Sequence, residues 1–224
     1  MDTKIVSGVI VFAIIALVIG LMIPGGEPPP VQTFPWHIEH TSTGTTRVFG
    51  LTLGESSLQQ AEQAFNAEAE LSLFEPADEK RQRVIEAYFD KVTLGGLSAK
   101  VVVVFDVGAE QLQAMYQRGT RISTLGDGSR KVSLHAEDIA TVRGIPIASI
   151  TYLPRIRLDA ALLEKRFGQP AQIITEKDSN MTHWLYPDKG LDVALDEQGN
   201  GVLQYVSPTR FEQLIRPLQH NNEN

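Results

Sequence analysis

An apolar run near the N-terminus constrains this chain more than any other feature. Between Ile5 and Ile23 there is no charged residue, and as an α-helix the run would be roughly 28 Å long, close to the ~30 Å hydrocarbon core of a bilayer. It is longer than the apolar core of a cleaved signal peptide, and no Ala-x-Ala pattern follows it. The chain also lacks the cysteine that a lipoprotein signal requires. The sequence therefore predicts an uncleaved transmembrane anchor over residues 1–23.

The charges that flank this run predict its orientation. Lys4 and the terminal amino group precede it, partly offset by Asp2, whereas Glu27 follows it and the next positive residue is Arg47. Under the positive-inside rule this distribution favours a cytoplasmic N-terminus and a main domain on the other side. We interpret the chain as a single-pass protein of the bacterial inner membrane with a periplasmic domain. An inverted anchor that carries a cytoplasmic domain is the alternative.

Composition narrows the classes of partner. The net charge of −7 argues against a nucleic-acid partner and against an anionic membrane surface as the main ligand, because phosphate groups are bound by clustered Lys and Arg. The absence of cysteine excludes disulfides, cysteine nucleophiles and thiolate metal sites. Residues 24–46 are predicted to be a linker. Five prolines and two glycines within residues 24–35 are typical of an extended, semi-rigid spacer.

Hydrophobic patterns predict a first α+β unit over residues 47–153. Ser56 and Gln59 match a capping box, and apolar residues follow at helical spacing: Leu58, Ala61 and Phe65. The run 84–94 suits a helix or a strand, and Gly95-Gly96 favours the strand because such a pair is typical of a hairpin. Further along we predict a charged, exposed linker at 75–83, a strand at 100–105 buried on both faces, a helix at 109–118, and strands at 131–135 and 145–153.

A second unit is predicted over residues 154–218, followed by a tail at 219–224. Asp159 is a plausible helix N-cap, and Gly168 and Pro170 give the expected stop. Alternating patterns then predict strands at 182–186, 191–195 and 202–206, with a final short helix from Phe211.

The order of elements in the two units is similar. Leu51-Thr52-Leu53 precedes the first capped helix, and Ile156-Arg157-Leu158 precedes the second; strands then end in Phe105-Asp106 and in Leu195-Asp196. This order predicts two related α+β units, each with its helix packed on one face of an antiparallel sheet. One α+β domain with coincidental similarity is the alternative.

The second unit carries a family resemblance. The helix end Arg166-Phe167-Gly168-Gln169-Pro170, the aromatic strand His183-Trp184-Leu185-Tyr186, and the strand 191–195 followed by Asp196, Gly199 and Val202 resemble the outer-membrane assembly lipoproteins of the SmpA/OmlA type. They also resemble the tandem-repeat fold of β-lactamase-inhibitor proteins. The resemblance is clearest over residues 156–206. It implies a non-enzymatic module that binds other proteins through its sheet or loops, although those lipoproteins are acylated on a cysteine that this chain lacks.

The sequence contains no pattern that predicts catalysis, a cofactor or a metal. His37 and His40 flank Glu39, but zincins need two histidines four apart on a helix, and these are three apart in a predicted loop. The segment 196–201 lacks the spacing of a calcium-binding loop and suits a β-turn. His135 and His183 lie in strand patterns, and no nucleophile elbow accompanies them. We therefore predict a protein without catalytic residues, cofactors or bound metal.

Three aromatic residues are the candidate partner surface. Trp184, Tyr186 and Tyr205 could form an exposed patch for a partner, or they could fill a small core. With the anchor and the spacer, these features predict a periplasmic binding or scaffold component of an envelope protein complex. The alternative is an envelope hydrolase or small-ligand sensor, which a pocket joining His135 or His183 to carboxylates would favour.

Overall fold

A computed structural model describes residues 34–78, 81–177 and 179–223, with only the backbone described from residue 220 onward. The predicted anchor at residues 1–23 and most of the predicted spacer lie outside this range. Among the described helices, none combines the length and the apolar character that crossing a membrane requires.

The described residues form thirteen strands and five α-helices. The strands are β1 (Glu39–His40), β2 (Thr46–Val48), β3 (Leu51–Thr52), β4 (Glu70–Glu75), β5 (Val84–Leu94), β6 (Leu97–Phe105), β7 (Arg121–Thr124), β8 (Arg130–Ser133), β9 (Ile147–Pro154), β10 (Gln172–Thr175), β11 (Thr182–Tyr186), β12 (Leu191–Leu195) and β13 (Gly201–Val206). The helices are α1 (Leu58–Phe65), α2 (Ala109–Arg118), α3 (Ala136–Val142), α4 (Ala160–Phe167) and α5 (Phe211–Glu223). Two 3₁₀ turns, Pro187–Lys189 and Pro208–Arg210, complete the list.

Ten of the strands form one antiparallel sheet. Their order is β10-β11-β12-β13-β9-β6-β5-β4-β8-β7, and β1, β2 and β3 form a separate small sheet. The predicted α+β class is therefore confirmed. The predicted boundary between units, at residues 153 and 154, falls at the end of β9, which pairs with β6 on one side and with β13 on the other.

The topology contains two similar runs of neighbouring strands. After α1 the chain builds β4, β5, β6 and β9 as neighbours, and after α4 it builds β10, β11, β12 and β13 as neighbours. The two runs meet where β9 pairs with β13, with Ile150 opposite Tyr205. Between β6 and β9 the first run contains an additional segment with α2, β7, β8 and α3, and β8 pairs with β4.

One face of the sheet, here called the inner face, carries the main core. The final residue of α1, Phe65, packs against Phe89 of β5 at a ring-centroid distance of 5.0 Å. The final residue of α4, Phe167, packs against Tyr186 of β11 at 5.8 Å. Phe49, in the turn between β2 and β3, packs 6.3 Å from the ring of Phe65 and 5.2 Å from the ring of Tyr152. All six rings belong to a single hydrophobic cluster.

Helix α5 covers only part of the opposite, outer face. Its buried residues Phe211, Ile215 and Leu218 pack with Leu185 of β11 and Val206 of β13 in a second, smaller cluster. Helix α5 packs on the outer face only at the β11–β13 end. The outer side of β5 and β6 is therefore not fully buried, whereas the sequence predicts that the run 100–105 is buried on both faces. From Ala99 to Phe105, the residues of β6 alternate between buried and half-buried.

Several local expectations differ from the structure by small shifts. The capping box of α1 is formed by Ser57 and Gln60, one residue later than predicted, and the Ser57 amide donates to Gln60 Oε1 at 2.9 Å. The hydroxyl of Ser56 instead accepts from the Thr52 amide at 3.0 Å. His135 is not in a strand; it is the N-cap of α3, a helix that the sequence did not predict.

Three boundaries also change. Residues 34–46, assigned to the linker, belong to the fold: Pro35 and Thr46 are buried, β1 lies within this segment and β2 begins at its last residue. The predicted exposed linker at 75–83 begins with Glu75, which is the end of β4. The predicted tail is helical, since α5 extends to Glu223.

Candidate binding surface

The three aromatic residues predicted as a partner surface belong mainly to the core. Tyr205 is 0% exposed, and its hydroxyl donates to the Pro35 carbonyl oxygen at 2.8 Å. Tyr186 is buried and its hydroxyl donates to the Gly168 carbonyl oxygen at 3.2 Å. Trp184 is half-buried and packs against the same core. Strand alternation directs these side chains to the inner face, which α4 covers, so the two tyrosines are not available to a partner.

The outer side of the first run of strands offers a different surface, here called the open face. Residues directly opposite each other on neighbouring strands point to the same side. The pairings Ser72–Glu86, Glu86–Val104 and Val104–Ser149, with the parallel row Glu70–Tyr88, Tyr88–Val102 and Val102–Thr151, therefore define one face. Its half-buried members are Phe74, Val84, Glu86, Tyr88, Lys100, Val102, Val104, Ser149, Thr151 and Leu153.

The open face lies beside α5 but is not packed by it. Among the described residues, neither hydrophobic cluster includes Val84, Val102, Val104 or Leu153. Each of these side chains is half-buried by its neighbours in the sheet. A row of valines at the centre of a sheet, without a helix over it, leaves apolar area in contact with water that a partner could bury.

Charged pairs lie at two margins of the open face. Lys131 Nζ is 2.6 Å from Glu70 Oε1 and 5.9 Å from the ring centroid of Phe74. Lys100 Nζ is 3.6 Å from Asp90 Oδ1. The Tyr88 hydroxyl donates to the same Asp90 oxygen at 2.9 Å. These contacts hold the long side chains along the sheet surface and leave the valine row between them.

Glu86 is the exception to this pairing. It lies opposite Ser72 and Val104, and within the described residues no ion pair or hydrogen bond engages its carboxylate. Burial raises the pKa of Glu86, and the charge of Lys131 opposes that shift only in part. A half-buried carboxylate beside valines is electrostatically suited to a cationic group brought by a partner.

On the other half of the outer face, a histidine lies close to two carboxylates. His183 Nδ1 lies 2.8 Å from Asp192 Oδ2, and His183 Nε2 lies 3.9 Å from Glu176 Oε1. Burial lowers the pKa of His183, but the hydrogen bond and charge of Asp192, with the charge of Glu176, raise it above its usual value overall. In the described part of the chain no hydroxyl is hydrogen-bonded to this imidazole, so the arrangement supplies an orienting acid and a base without a nucleophile.

The other residues considered as candidate metal ligands in the sequence make contacts that stabilise the local fold. Glu39 lies 3.9 Å from Arg47, within the small sheet. Asp196 Oδ1 accepts from the amides of Gln198 and Asn200 at 2.9 and 2.8 Å, which forms the predicted turn between β12 and β13. Over the described residues, no group of three His, Asp or Glu side chains is arranged to hold a metal ion.

An ion-pair network that the sequence did not predict joins β4, α2 and β8. Glu75 accepts from Arg83 Nε at 2.9 Å, from the Tyr116 hydroxyl at 3.0 Å and from Arg130 Nη1 at 3.0 Å. Burial raises the pKa of Glu75, but these hydrogen bonds lower it below its usual value overall. The network fixes the β7–β8 hairpin at the edge of the sheet.

Sequence reasoning missed the open face for an identifiable reason. The alternation of Ile85, Ala87 and Phe89 along β5 shows which side is buried. The run 100–105 contains valine on both sides and gives no such signal. Only the positions of the helices, all but α5 packing toward the inner face, determine that Val102 and Val104 are left at the surface.

The sequence matches no protein-family model, and no curated protein matches it. Among solved structures, the chain is similar to a DUF4309 family protein, YjgB, from Bacillus subtilis subsp. subtilis str. 168. The two are 13% identical, the match covers 73% of this chain and 88% of that chain, and the TM-score is 0.36.

Proposed function

We propose that this protein is a binding or scaffold component of a bacterial envelope complex and that the open face is its partner surface. The open face carries the proposal because it combines an unpacked row of valines with the half-buried carboxylate of Glu86, which has no ion-pair partner within the described residues. The core of a protein interface is typically apolar with few charges, and a buried charge there needs a partner of opposite sign. The partner would therefore present an apolar surface with one Arg or Lys placed against Glu86.

We place this domain in the periplasm, held at the inner membrane by the run between Ile5 and Ile23 with a cytoplasmic N-terminus. The length of the run and the position of Lys4 support this proposal. Protease added to spheroplasts would degrade a periplasmic domain. Protection of the domain until the membrane is lysed would contradict the orientation.

We further propose that the chain is a tandem of two related units, as the resemblance to β-lactamase-inhibitor proteins implies. Each helix that opens a unit, α1 or α4, ends in a phenylalanine that packs on an aromatic ring of the second strand after it. Each helix is followed by four strands that are neighbours in the sheet. In this interpretation the segment between β6 and β9 is an insertion in the first unit.

Site-specific photocrosslinking in native membranes tests the partner surface. A photoreactive residue at Val102 or Thr151 of the full-length protein should give a discrete protein adduct. The same residue at Gln59, which is exposed on α1, is the matched control and should not. Glu86→Lys should abolish the adduct from Val102, because it places a positive charge against the partner's cation.

Two results would overturn the proposal. One is the absence of any adduct from Val102 and Thr151 when the protein is expressed at its natural level. The other is an adduct that forms equally well from Gln59 or that survives Glu86→Lys.

A further inference from the structure

A short segment of the chain occupies a cleft of the domain. Phe34, Pro35 and Trp36, here called the strap, cross the inner side near the β9–β13 junction. The rings of Phe34 and Trp36 stack with a centroid distance of 4.9 Å and an interplanar angle of 8°. Phe34 also packs directly on Gly95, where a side chain would overlap its ring. The strap therefore has one defined conformation against the domain.

Two different interactions hold the strap in the cleft. The buried hydroxyl of Tyr205 donates to the Pro35 carbonyl oxygen at 2.8 Å. The guanidinium carbon of Arg166, on α4, lies 4.1 Å from the ring centroid of Trp36. A cation held over an indole face is an attractive contact, and the hydrogen bond fixes the position of the proline along the cleft.

The rest of the cleft is apolar. Its walls come from α4 and from the segments around β9 and β13, and they include Pro154, Leu158, Leu162 and Leu203. Pro35 and Trp36 line this cleft together with these walls, and the free volume left beside them is about 20 Å³. The strap is therefore closely packed against the apolar walls.

Tyr152, another residue of this cleft, differs from Tyr205 in its hydrogen bonding. The hydroxyl of Tyr152, which is 0% exposed, has no hydrogen-bond partner among the described residues. Tyr152 lines the same cleft. A donor buried without a partner is unfavourable, so this hydroxyl lowers the stability of the core beside the strap.

We propose that this cleft is a peptide-binding site for an aromatic-proline-aromatic segment in a β-turn and that the strap is its occupant in the absence of a partner. The strap itself has this conformation, since the His37 amide donates to the Phe34 carbonyl oxygen at 3.0 Å. Three features select this chemistry. The cleft donates a hydrogen bond to the carbonyl of the residue before the tryptophan, Arg166 stacks on the tryptophan ring, and the walls are apolar. A partner protein that carries such a segment would displace the strap. The site is separate from the open face, and so the inference goes beyond the proposed function and does not depend on it.

The first test empties the cleft in the full-length protein held in lipid nanodiscs. The double variant Phe34→Ala/Trp36→Ala removes the strap's rings, and a labelled peptide with the sequence Thr-Phe-Pro-Trp-His is the probe. The vacated protein should bind the peptide at least about tenfold more tightly than the wild type, in which the tethered strap competes. Adding Arg166→Gln or Tyr205→Phe should weaken that binding, and a Thr-Ala-Ala-Ala-His peptide is the matched control.

A second test keeps the strap intact. The chain has two tryptophans, so Trp184→Phe leaves Trp36 as the only tryptophan, whose emission can be excited selectively. A tryptophan-free peptide, Thr-Phe-Pro-Phe-His, should displace Trp36 into water and shift its emission to longer wavelength. The absence of a shift at saturating peptide would overturn the proposal, as would a folded double variant that binds the probe no better than the control peptide. Crosslinking through the open face would be unaffected by either result.

Discussion

Two tyrosines on neighbouring strands show how a single hydroxyl can change the energy of a core. Tyr152 on β9 and Tyr205 on β13 are both fully buried, and burial raises the pKa of Tyr152 to about 12. Both phenols are therefore neutral at physiological pH. Their hydroxyls differ in one respect, since that of Tyr205 donates to Pro35 and that of Tyr152 has no partner among the described residues.

Removing these hydroxyls should have opposite effects. Tyr152→Phe should raise the free energy of unfolding by ~1 kcal/mol, because the unpaired donor no longer loses its hydration. Tyr205→Phe should lower it by ~1–2 kcal/mol, because the Pro35 carbonyl is left buried without a donor. Urea denaturation of the two variants and the wild type measures both changes. Destabilisation by Tyr152→Phe would show that its hydroxyl is hydrogen-bonded in solution.

Gly190 follows the 3₁₀ turn Pro187–Lys189, and it is a second residue at which the change of a single atom should affect stability. Its φ is 61°, and a Cβ there would overlap the carbonyl oxygen of Val206. Gly190→Ala should therefore destabilise the fold by more than ~3 kcal/mol, the combined cost of left-handed backbone and a clash with backbone.

Gly96 is the matched control. It also has a positive φ, 80°, but open space surrounds the position of its absent Cβ. Gly96→Ala should cost only ~1 kcal/mol, and the difference in thermal midpoint between the two alanine variants isolates the clash. Equal midpoints would contradict the close approach of Gly190 to β13.

At the scale of single elements, the sequence correctly predicts those helices whose ends are determined by neighbouring residues. Helix α2 is observed over the predicted residues 109–118, and α4 begins after Asp159, whose carboxylate accepts from the Leu162 amide at 2.7 Å. Strand β10 was missed because a four-residue segment at the edge of a sheet carries little pattern of its own. Helix α3 was missed because its N-cap is a histidine rather than one of the usual capping residues.

Strand β5 gives a prediction about pH. Burial raises the pKa of Glu86, so the native state holds this proton more tightly than the unfolded chain, and ionised Glu86 makes the fold less stable as pH rises through its native pKa. Glu86→Gln should therefore be more stable than the wild type at pH 7. The gain should disappear near pH 4, where the unfolded carboxyl also becomes protonated.

Denaturation of both proteins by urea at the two pH values measures this difference. Glu68→Gln, on an exposed residue, controls for the general effect of removing one negative charge. A gain that is the same at pH 7 and pH 4 would contradict a desolvated carboxylate on the open face.

For the whole molecule, the decisive feature is long-range strand pairing. The sequence predicts most strands and the two-part order of elements, but no short-range signal indicates that β8 pairs with β4 or that β9 pairs with β13. These pairings decide which faces are covered and hence where the open face lies. The candidate surface could not be predicted for the same reason, since Trp184, Tyr186 and Tyr205 are aromatic in sequence whether they face a partner or a core.

A continuous sheet and a shared core predict cooperative unfolding of the two halves. Amides of β5 and β12 should exchange with solvent at the same limiting free energy, because neither half can open without breaking the β9–β13 pairing. Hydrogen exchange followed by mass spectrometry measures both strands in one experiment. Exchange of β5 through a separate opening, at least ~2 kcal/mol below that of β12, would show that the halves unfold independently.

The central position of β9 also has a consequence for synthesis. One edge of β9 pairs with β13, and that edge stays unpaired until β13 is made. The ribosome completes Pro154 well before it reaches Gly201. At ~5–20 residues per second, the nascent chain exposes an uncharged edge of Ile, Ala, Ser, Thr, Tyr and Leu for several seconds. Such an edge can pair with any other extended chain. During translation, the middle of the finished sheet is therefore open to such pairing until β13 is made.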